Sequence, residues 1–217
     1  DPEMSRGLGD VYKRQVKHSV DAGTWREDII TLRKLNYKEA DSVVVNPHYF
    51  GEVKLTPKNS DIVNFVTVGA IQGKKKNNDL IINSVKELHE KGIHNFKITV
   101  IGKGHLKKLP KELQQYFDIK GRLPFDKMYD EIEKADFLIT SYDETKPGHI
   151  RYNTTGTSGN FQLVYGFAKP CIIIESFGPI NGFDSSNSIL YKTDSEFANA
   201  LQKGIEMSSE KYSELQK

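Results

Sequence analysis

Apolar positions along this chain fall into two periods that take turns. Ile62 to Ala70, IVNFVTVGA, is apolar at most positions and closes on Gly69, the pattern of a strand covered on both faces. Asp79 to Glu90 then spaces Ile81, Val85 and Leu88 along one face of a helix. Phe96 to Ile101 predicts a second strand ending at Gly102, Lys111 opens a short helix, and Tyr116 to Lys120 predicts a third strand ending at Gly121. A helix is expected over Asp126 to Lys134, with Met128 and Ile132 inward, and a strand over Phe137 to Ser141. A long loop is expected from Glu144 to Gly156, a helix from Asn160 to Ala168, and strands over Cys171 to Glu175 and Ser188 to Tyr191. Ser195 to Ile205 closes the series as a helix with Phe197, Ala198, Leu201 and Ile205 on one side. Upstream, Trp25 to Lys38 suits an amphipathic helix through Ile29, Ile30, Leu32 and Leu35, and Asp41 to Asn46 a short strand stopped by Pro47.

Strands that alternate with helices predict an α/β, Rossmann-like parallel sheet with helices on both faces. Ligands of such sheets sit beyond the carboxyl ends of the strands. Those ends are GAIQGKKKNN, GKGH, GRLP, SYDE and SFGP, and three of the five combine glycine with Lys or Arg. Glycine admits a ligand close to the backbone and the cations compensate negative charge, so a phosphate-bearing ligand suits them. Lys74, Lys75 and Lys76 in isolation would be an ordinary solvated turn; their place after the first strand gives the functional reading its weight.

The stretch TSGNFQLVYGFAKPCIII, Thr157 to Ile174, sets small polar residues immediately before an apolar helix. The first N–H groups of a helix lack internal partners and lie at the positive end of its dipole, which suits an anion. The ordinary alternative is an N-cap at Ser158 with Gly159 easing the turn, and the two are compatible.

Charge and composition exclude several classes. Lys plus Arg total 31 against 29 for Asp plus Glu, a net +2, without the imbalance of a nucleic-acid binder. The single cysteine, Cys171, lies in an apolar strand and has no internal partner, pointing to a reducing compartment and a packing role. No apolar stretch approaches the ~20 residues of a membrane span, and no signal peptide is visible. His18, His48, His89, His94 and His105 have no metal-ligand spacing, so no metal is expected. Neither GxSxG, GxxxxGK[ST] nor the three-glycine dinucleotide fingerprint occurs.

Residues 1–15 show no helical or alternating period. Ser5 to Gln15 resemble the in-frame translation of a sequencing adapter, so this head is expected to be non-native and the chain from Val16 a fragment. Thr56 to Ser60, TPKNS, is a polar connector of the kind found between domains.

The order of these pieces resembles the carboxyl-terminal, nucleotide-sugar-binding domain of GT-B glycosyltransferases, particularly the retaining glycosyltransferase family 4. The marks are VGAIQGKKKNNDLIINSV (Val68 to Val85), ITVIGKG (Ile98 to Gly104), ADFLITSYDE (Ala135 to Glu144) and YGFAKPCII (Tyr165 to Ile173). ADSVVVNPHYF, Ala40 to Phe50, looks like the end of the amino-terminal, acceptor-binding domain of that family. The resemblance implies residues 16–55 as the end of an acceptor domain, 56–61 as a linker and 62–217 as a truncated donor domain.

That likeness implies sugar transfer from a nucleotide-sugar donor to a glycan or lipid-linked acceptor in surface polysaccharide synthesis, without a cofactor. It implies a cytoplasmic protein, with any peripheral contact at the inner membrane face made by the amino-terminal half. Glu144 matches the family's glutamate near the transferred sugar. Gly69, Lys75, Lys76, Thr157, Ser158, Gly159 and Asn160 are implied around the donor diphosphate, and Gln162 and Arg122 at the ribose or base. Two departures matter. Ala70 stands where the family often has Arg, and the family's second glutamate falls on Tyr152 or Leu163, depending on where the alignment is anchored. The Glu144 to Ser158 loop is longer than the common pattern, as in a capsule or exopolysaccharide-type subgroup. His149 and Arg151 lie in that insertion and are candidates for the sugar or phosphate. A GT-B sugar-nucleotide epimerase and a non-catalytic nucleotide-binding α/β domain remain the alternatives.

Overall fold

Strand β3 (Val63–Val68) is the centre of the architecture, because its side chains are covered from both faces and its two neighbours come from different parts of the chain. The computed structural model describes residues 18–24, 29–31, 42–45, 51–52, 55–59, 61–69, 77–104, 106, 109–154 and 156–217. The chain divides into two compact units, Asp1–Pro47 and His48–Lys217. In the first, β1 (Ile29–Thr31) pairs in parallel with β2 (Ser42–Val44). The helix expected over Trp25 to Lys38 is therefore corrected at 29–31, where Ile-Ile-Thr is a β-branched run that fits a pleated surface better than a helix.

The second unit holds six parallel strands in the order β5-β4-β3-β6-β7-β8. These are β3, β4 (Phe96–Ile101), β5 (Phe117–Gly121), β6 (Phe137–Ile139), β7 (Cys171–Ile174) and β8 (Ser188–Tyr191). The chain moves outward from β3 through β4 to β5, then returns to the other side of β3 and moves outward again. Right-handed crossovers then put the helices on opposite faces, giving the Rossmann-like sheet that the alternation predicts.

One face carries α1 (Asn78–Glu90), α5 (Phe197–Glu206) and α6 (Ser209–Leu215). Asn77 caps α1, its side chain accepting from Leu80 N–H, and Leu80, Ile81, Val85 and Leu88 make the buried stripe. Gly204 of α5 lets that helix lie close to the stacked rings of Phe65 and Phe137; an added Cβ would stand 3.3 Å from Phe65. Helix α6 was not expected; Ser208 caps it, and it places Tyr212 edge-on to Phe137. Its seven residues are too few for a clear period.

The other face carries α2 (Phe125–Lys134) and α4 (Gly159–Phe167), which meet through Tyr129 and Phe167. At the amino edge of the sheet, residues 56–59 are pinned to this domain. Asp136 accepts from Asn59 N–H and Asn64 N–H at 2.8 and 2.7 Å, and Lys169 Nζ donates to Thr56 Oγ1 and Glu133 O. Lys58 Nζ donates to Ile205 O at 2.7 Å.

The loop expected from Glu144 to Gly156 is corrected by helix α3 (Pro147–Thr154). PGHIRYNT has no apolar stripe to reveal it, but Pro147 suits a first helical position and Lys146 O accepts from His149 N–H at 2.8 Å.

Candidate functional site: the carboxyl edge of the sheet

The order of strands reverses between β3 and β6, so the loops leaving them diverge and open a crevice. Their pairing ends at Val66 opposite Leu138. Counting that register forward sets Gly69 level with Ser141, at the mouth. Gly69 has φ +127°, a conformation that an L side chain rarely adopts, and its N–H donates to Ile101 O at 2.8 Å. Gly102 N–H in turn donates to Gly121 O at 2.8 Å, so three strands end on glycines along one edge. Lys75 and Lys76, with Lys74, lie outside the described residues. Arg122 is exposed immediately after β5.

Strand β6 ends where Thr140 donates both its N–H and its hydroxyl to Ile172 O at 3.1 Å. Ser141 and Tyr142 continue inward. The Ser141 hydroxyl is buried without a partner among the described residues, an arrangement that ordinarily costs about 1–3 kcal/mol until something hydrogen-bonds it. Tyr142 packs its ring on Phe161, Phe177, Tyr152 and His149. Its hydroxyl donates to Ser158 Oγ at 2.5 Å, and burial pushes its pKa well up. The next residue, Asp143, accepts from Thr145 N–H and Thr145 Oγ1 and pairs with Lys146 Nζ at 3.1 Å. Burial pushes the Asp143 carboxyl up, but these donors outweigh it and leave it below its ordinary range. Glu144 stands exposed at the tip of that turn.

Helix α4 begins at the same place. Ser158 is buried and caps it, Oγ accepting from Asn160 N–H at 3.3 Å, while Thr157 and Asn160 are half-buried and Gly159 is exposed. A Cβ built on Gly159 meets nothing within 4 Å, and its φ is not in the left-handed region. The glycine is therefore not demanded by the backbone, and a side chain there has room. The structure thus brings Tyr142, Glu144, and Thr157 to Asn160 onto two connected segments.

Other expected residues sit differently. Gln162 is half-buried in α4, Leu163 is buried, and Tyr152 packs against the core, so neither position aligned with a second glutamate offers a carboxylate. His149 is buried, and its Nδ1 accepts from Asp143 N–H at 2.9 Å rather than facing outward. Arg151 is exposed and lies over the Tyr152 ring at 4.9 Å. Cys171 is fully buried beside Ser188 Oγ and its thiol is pushed up to about 12, which fits the packing role. Tyr142 was missed by the sequence reading, although the strand's period of two carries Leu138 and Thr140 on to it. Among the described residues no group of three or more His, Cys, Asp or Glu side chains is placed to hold a metal.

No protein-family model and no curated protein sequence matches the chain. Its fold is that of solved glycosyltransferases of the GT-B kind. The lipopolysaccharide outer core galactosyltransferase WaaB aligns with a TM-score of 0.56 at 18% identity, over 76% of this chain and 46% of that one. The pneumococcal O-GlcNAc transferase GtfA, solved with UDP and GlcNAc, aligns with a TM-score of 0.55 at 14% identity, over 92% of this chain and 42% of that one. WaaG, a glycosyltransferase of lipopolysaccharide biosynthesis, aligns with a TM-score of 0.52 at 14% identity, over 73% and 42%. The chain spans less than half the length of each.

Proposed function

We propose that the chain is the nucleotide-sugar-binding part of a glycosyltransferase that moves a sugar from a nucleotide-sugar donor to a glycan or lipid-linked acceptor, in surface polysaccharide synthesis. The observation that carries this reading is the N-terminus of α4, fixed by Ser158 to the end of β6 at the point where the strand order reverses. A donor diphosphate there meets the Gly159 N–H at the positive end of the helix dipole, beside Thr157 and the Ser158 cap that takes the Asn160 N–H, with Lys75 and Lys76 assigned to approach from the loop after Gly69.

In the transfer, the bond from the anomeric carbon to the diphosphate oxygen breaks while the acceptor oxygen bonds to that carbon. Negative charge grows on the departing nucleoside diphosphate and positive charge on the sugar. Helix N–H groups and lysines stabilise the first, so a divalent ion is not required for binding. Glu144 is assigned to the sugar, accepting from its hydroxyls, and Gln162 and Arg122 to the ribose or base. Acceptor binding, and any contact with the inner face of a membrane, are assigned to sequence outside residues 62–217.

Calorimetric titration of the chain with UDP, GDP and ADP, with and without chelator, tests this. The expected result is binding of one of them that survives the chelator. Failure of all three, or binding only with added divalent ion, removes the proposed site.

A further inference from the structure

The buried imidazole of His149 stands in α3 and reaches back to the turn that carries Glu144. The ring is 2% exposed, and its Nδ1 accepts from Asp143 N–H at 2.9 Å. A ring nitrogen that accepts carries no proton, so the neutral ring bears its hydrogen on Nε2. The same ring stands edge-on to Tyr142, with centroids 5.6 Å apart. Residues 143–149 close on themselves by further contacts. Lys146 N–H donates to Asp143 O, His149 N–H donates to Lys146 O, and Lys146 Nζ pairs with the Asp143 carboxylate. Glu144 is left at the apex, and among the described residues no side-chain hydrogen bond or ion pair holds it.

We propose that His149 is a positioning residue: through Asp143 N–H it holds the turn that presents the Glu144 carboxylate to the donor sugar. The proposal rests on the glycosyl-transfer reading of this site. It gives the inserted helix a purpose, since α3 supplies the acceptor that the turn lacks within itself. An exposed carboxylate whose backbone is fixed before the sugar arrives loses less freedom on binding the sugar hydroxyls. The contact places that constraint one residue before Glu144, leaving its side chain free to turn toward the ligand.

Three substitutions in the 217-residue chain separate the roles of the ring. His149→Asn sets an amide oxygen near the place of Nδ1 and retains the acceptor. His149→Gln sets its amide near Nε2 instead. His149→Phe keeps a ring against Tyr142 with neither nitrogen. Amide exchange is read at Asp143, and calorimetry compares a nucleotide sugar with its matching nucleoside diphosphate. The parent and His149→Asn are expected to protect the Asp143 amide, whereas His149→Gln and His149→Phe exchange it about tenfold faster. The affinity of the nucleotide sugar relative to the diphosphate is expected to fall about tenfold in the same two variants, with diphosphate affinity unchanged. Glu144→Gln should lower the same ratio and add little when combined with His149→Phe. The proposal is overturned if His149→Phe keeps both the slow exchange and the ratio, or if His149→Asn behaves like His149→Phe. A parent chain that binds no nucleoside diphosphate overturns the functional reading, and with it the role given to Glu144. The exchange comparison then decides separately whether His149 holds the turn.

Discussion

Tyr142 donates its hydroxyl to Ser158 Oγ in a 2.5 Å hydrogen bond, and the same oxygen accepts from Asn160 N–H at 3.3 Å. One small side chain therefore joins the end of β6 to the first turn of α4. Both ends are buried, so neither hydroxyl has water to fall back on.

Removing either partner should have unequal effects. Tyr142→Phe removes one hydrogen bond but leaves Ser158 as cap, and is expected to cost about 1 kcal/mol. Ser158→Ala removes the cap and leaves the buried Tyr142 hydroxyl only the Asn160 side chain, a combination expected to cost about 1–3 kcal/mol. The double variant should cost less than the sum, because both single variants lose the same Tyr142–Ser158 hydrogen bond. Denaturant midpoints for the four proteins check this; additive losses would mean that the two hydroxyls do not act together.

How much of this could be read from sequence differs by element. The sheet was legible because β3, β4 and β7 are mostly apolar runs and each ends at glycine or a polar turn, so length and punctuation defined them. The cap at Ser158 was legible as well, since Ser-Gly-Asn before an apolar run is a local signal. Helix α3 was not, because PGHIRYNT is held by Pro147, by backbone contacts and by the buried His149 rather than by an apolar stripe. Ile29 to Thr31 failed for the opposite reason: their spacing satisfied a helix template, while pairing with Ser42 to Val44 decided the outcome. The Tyr142 and His149 contacts join residues 16 and 6 positions apart, and only folding shows them.

Asp136 gathers the charges at the amino edge of the sheet. Burial raises its pKa, opposed by the N–H groups of Asn59 and Asn64 and by Lys169 and Lys58, and burial lowers both lysines. Asp136→Ala leaves the Asn59 and Asn64 N–H groups without their acceptor and removes the negative charge near Lys58 and Lys169, and is expected to cost about 2–4 kcal/mol. Lys169→Met keeps most of the apolar stem and should cost less. Thermal unfolding of the two variants checks the order; equal losses would show that the carboxylate is not the centre of the cluster.

Cys171 and the buried tyrosines make alkaline pH destabilising. The Cys171 thiol is raised from 9.0 to about 12 in the fold by burial, so above pH 9.0 the unfolded chain loses a proton that the folded chain keeps. Its contribution therefore falls as pH rises from 9.0 toward about 12, with a slope of at most about 1.4 kcal/mol per pH unit. Burial raises Tyr142, Tyr191 and Tyr212 in the same direction, which adds to the loss. Cys171→Ala should flatten the fall between these limits. The thiol should also resist a maleimide in native buffer and react once denaturant unfolds the chain. Prompt reaction without denaturant would contradict its burial.

Gly159 separates an anion site from a plain helix cap. Its φ lies outside the left-handed region and an added Cβ has open space, so Gly159→Val should change stability by no more than about 0.5 kcal/mol. Stability and binding can therefore be read apart. If a diphosphate docks on the Gly159 N–H at the start of the helix, the valine methyl groups occupy its approach, and affinity for nucleoside diphosphate should fall at least about tenfold. Inorganic pyrophosphate should weaken in parallel, because the obstruction is at the phosphates and not at the base. Arg122→Ala should instead weaken the nucleoside diphosphate and leave pyrophosphate nearly unchanged, since its assigned place is at the ribose or base. Calorimetry with both probes, alongside melting temperature, gives the comparison. A Gly159→Val protein that melts like its parent and binds both probes equally well would reduce Ser158 to Asn160 to a cap, and the diphosphate would then have to bind elsewhere along the carboxyl edge of the sheet.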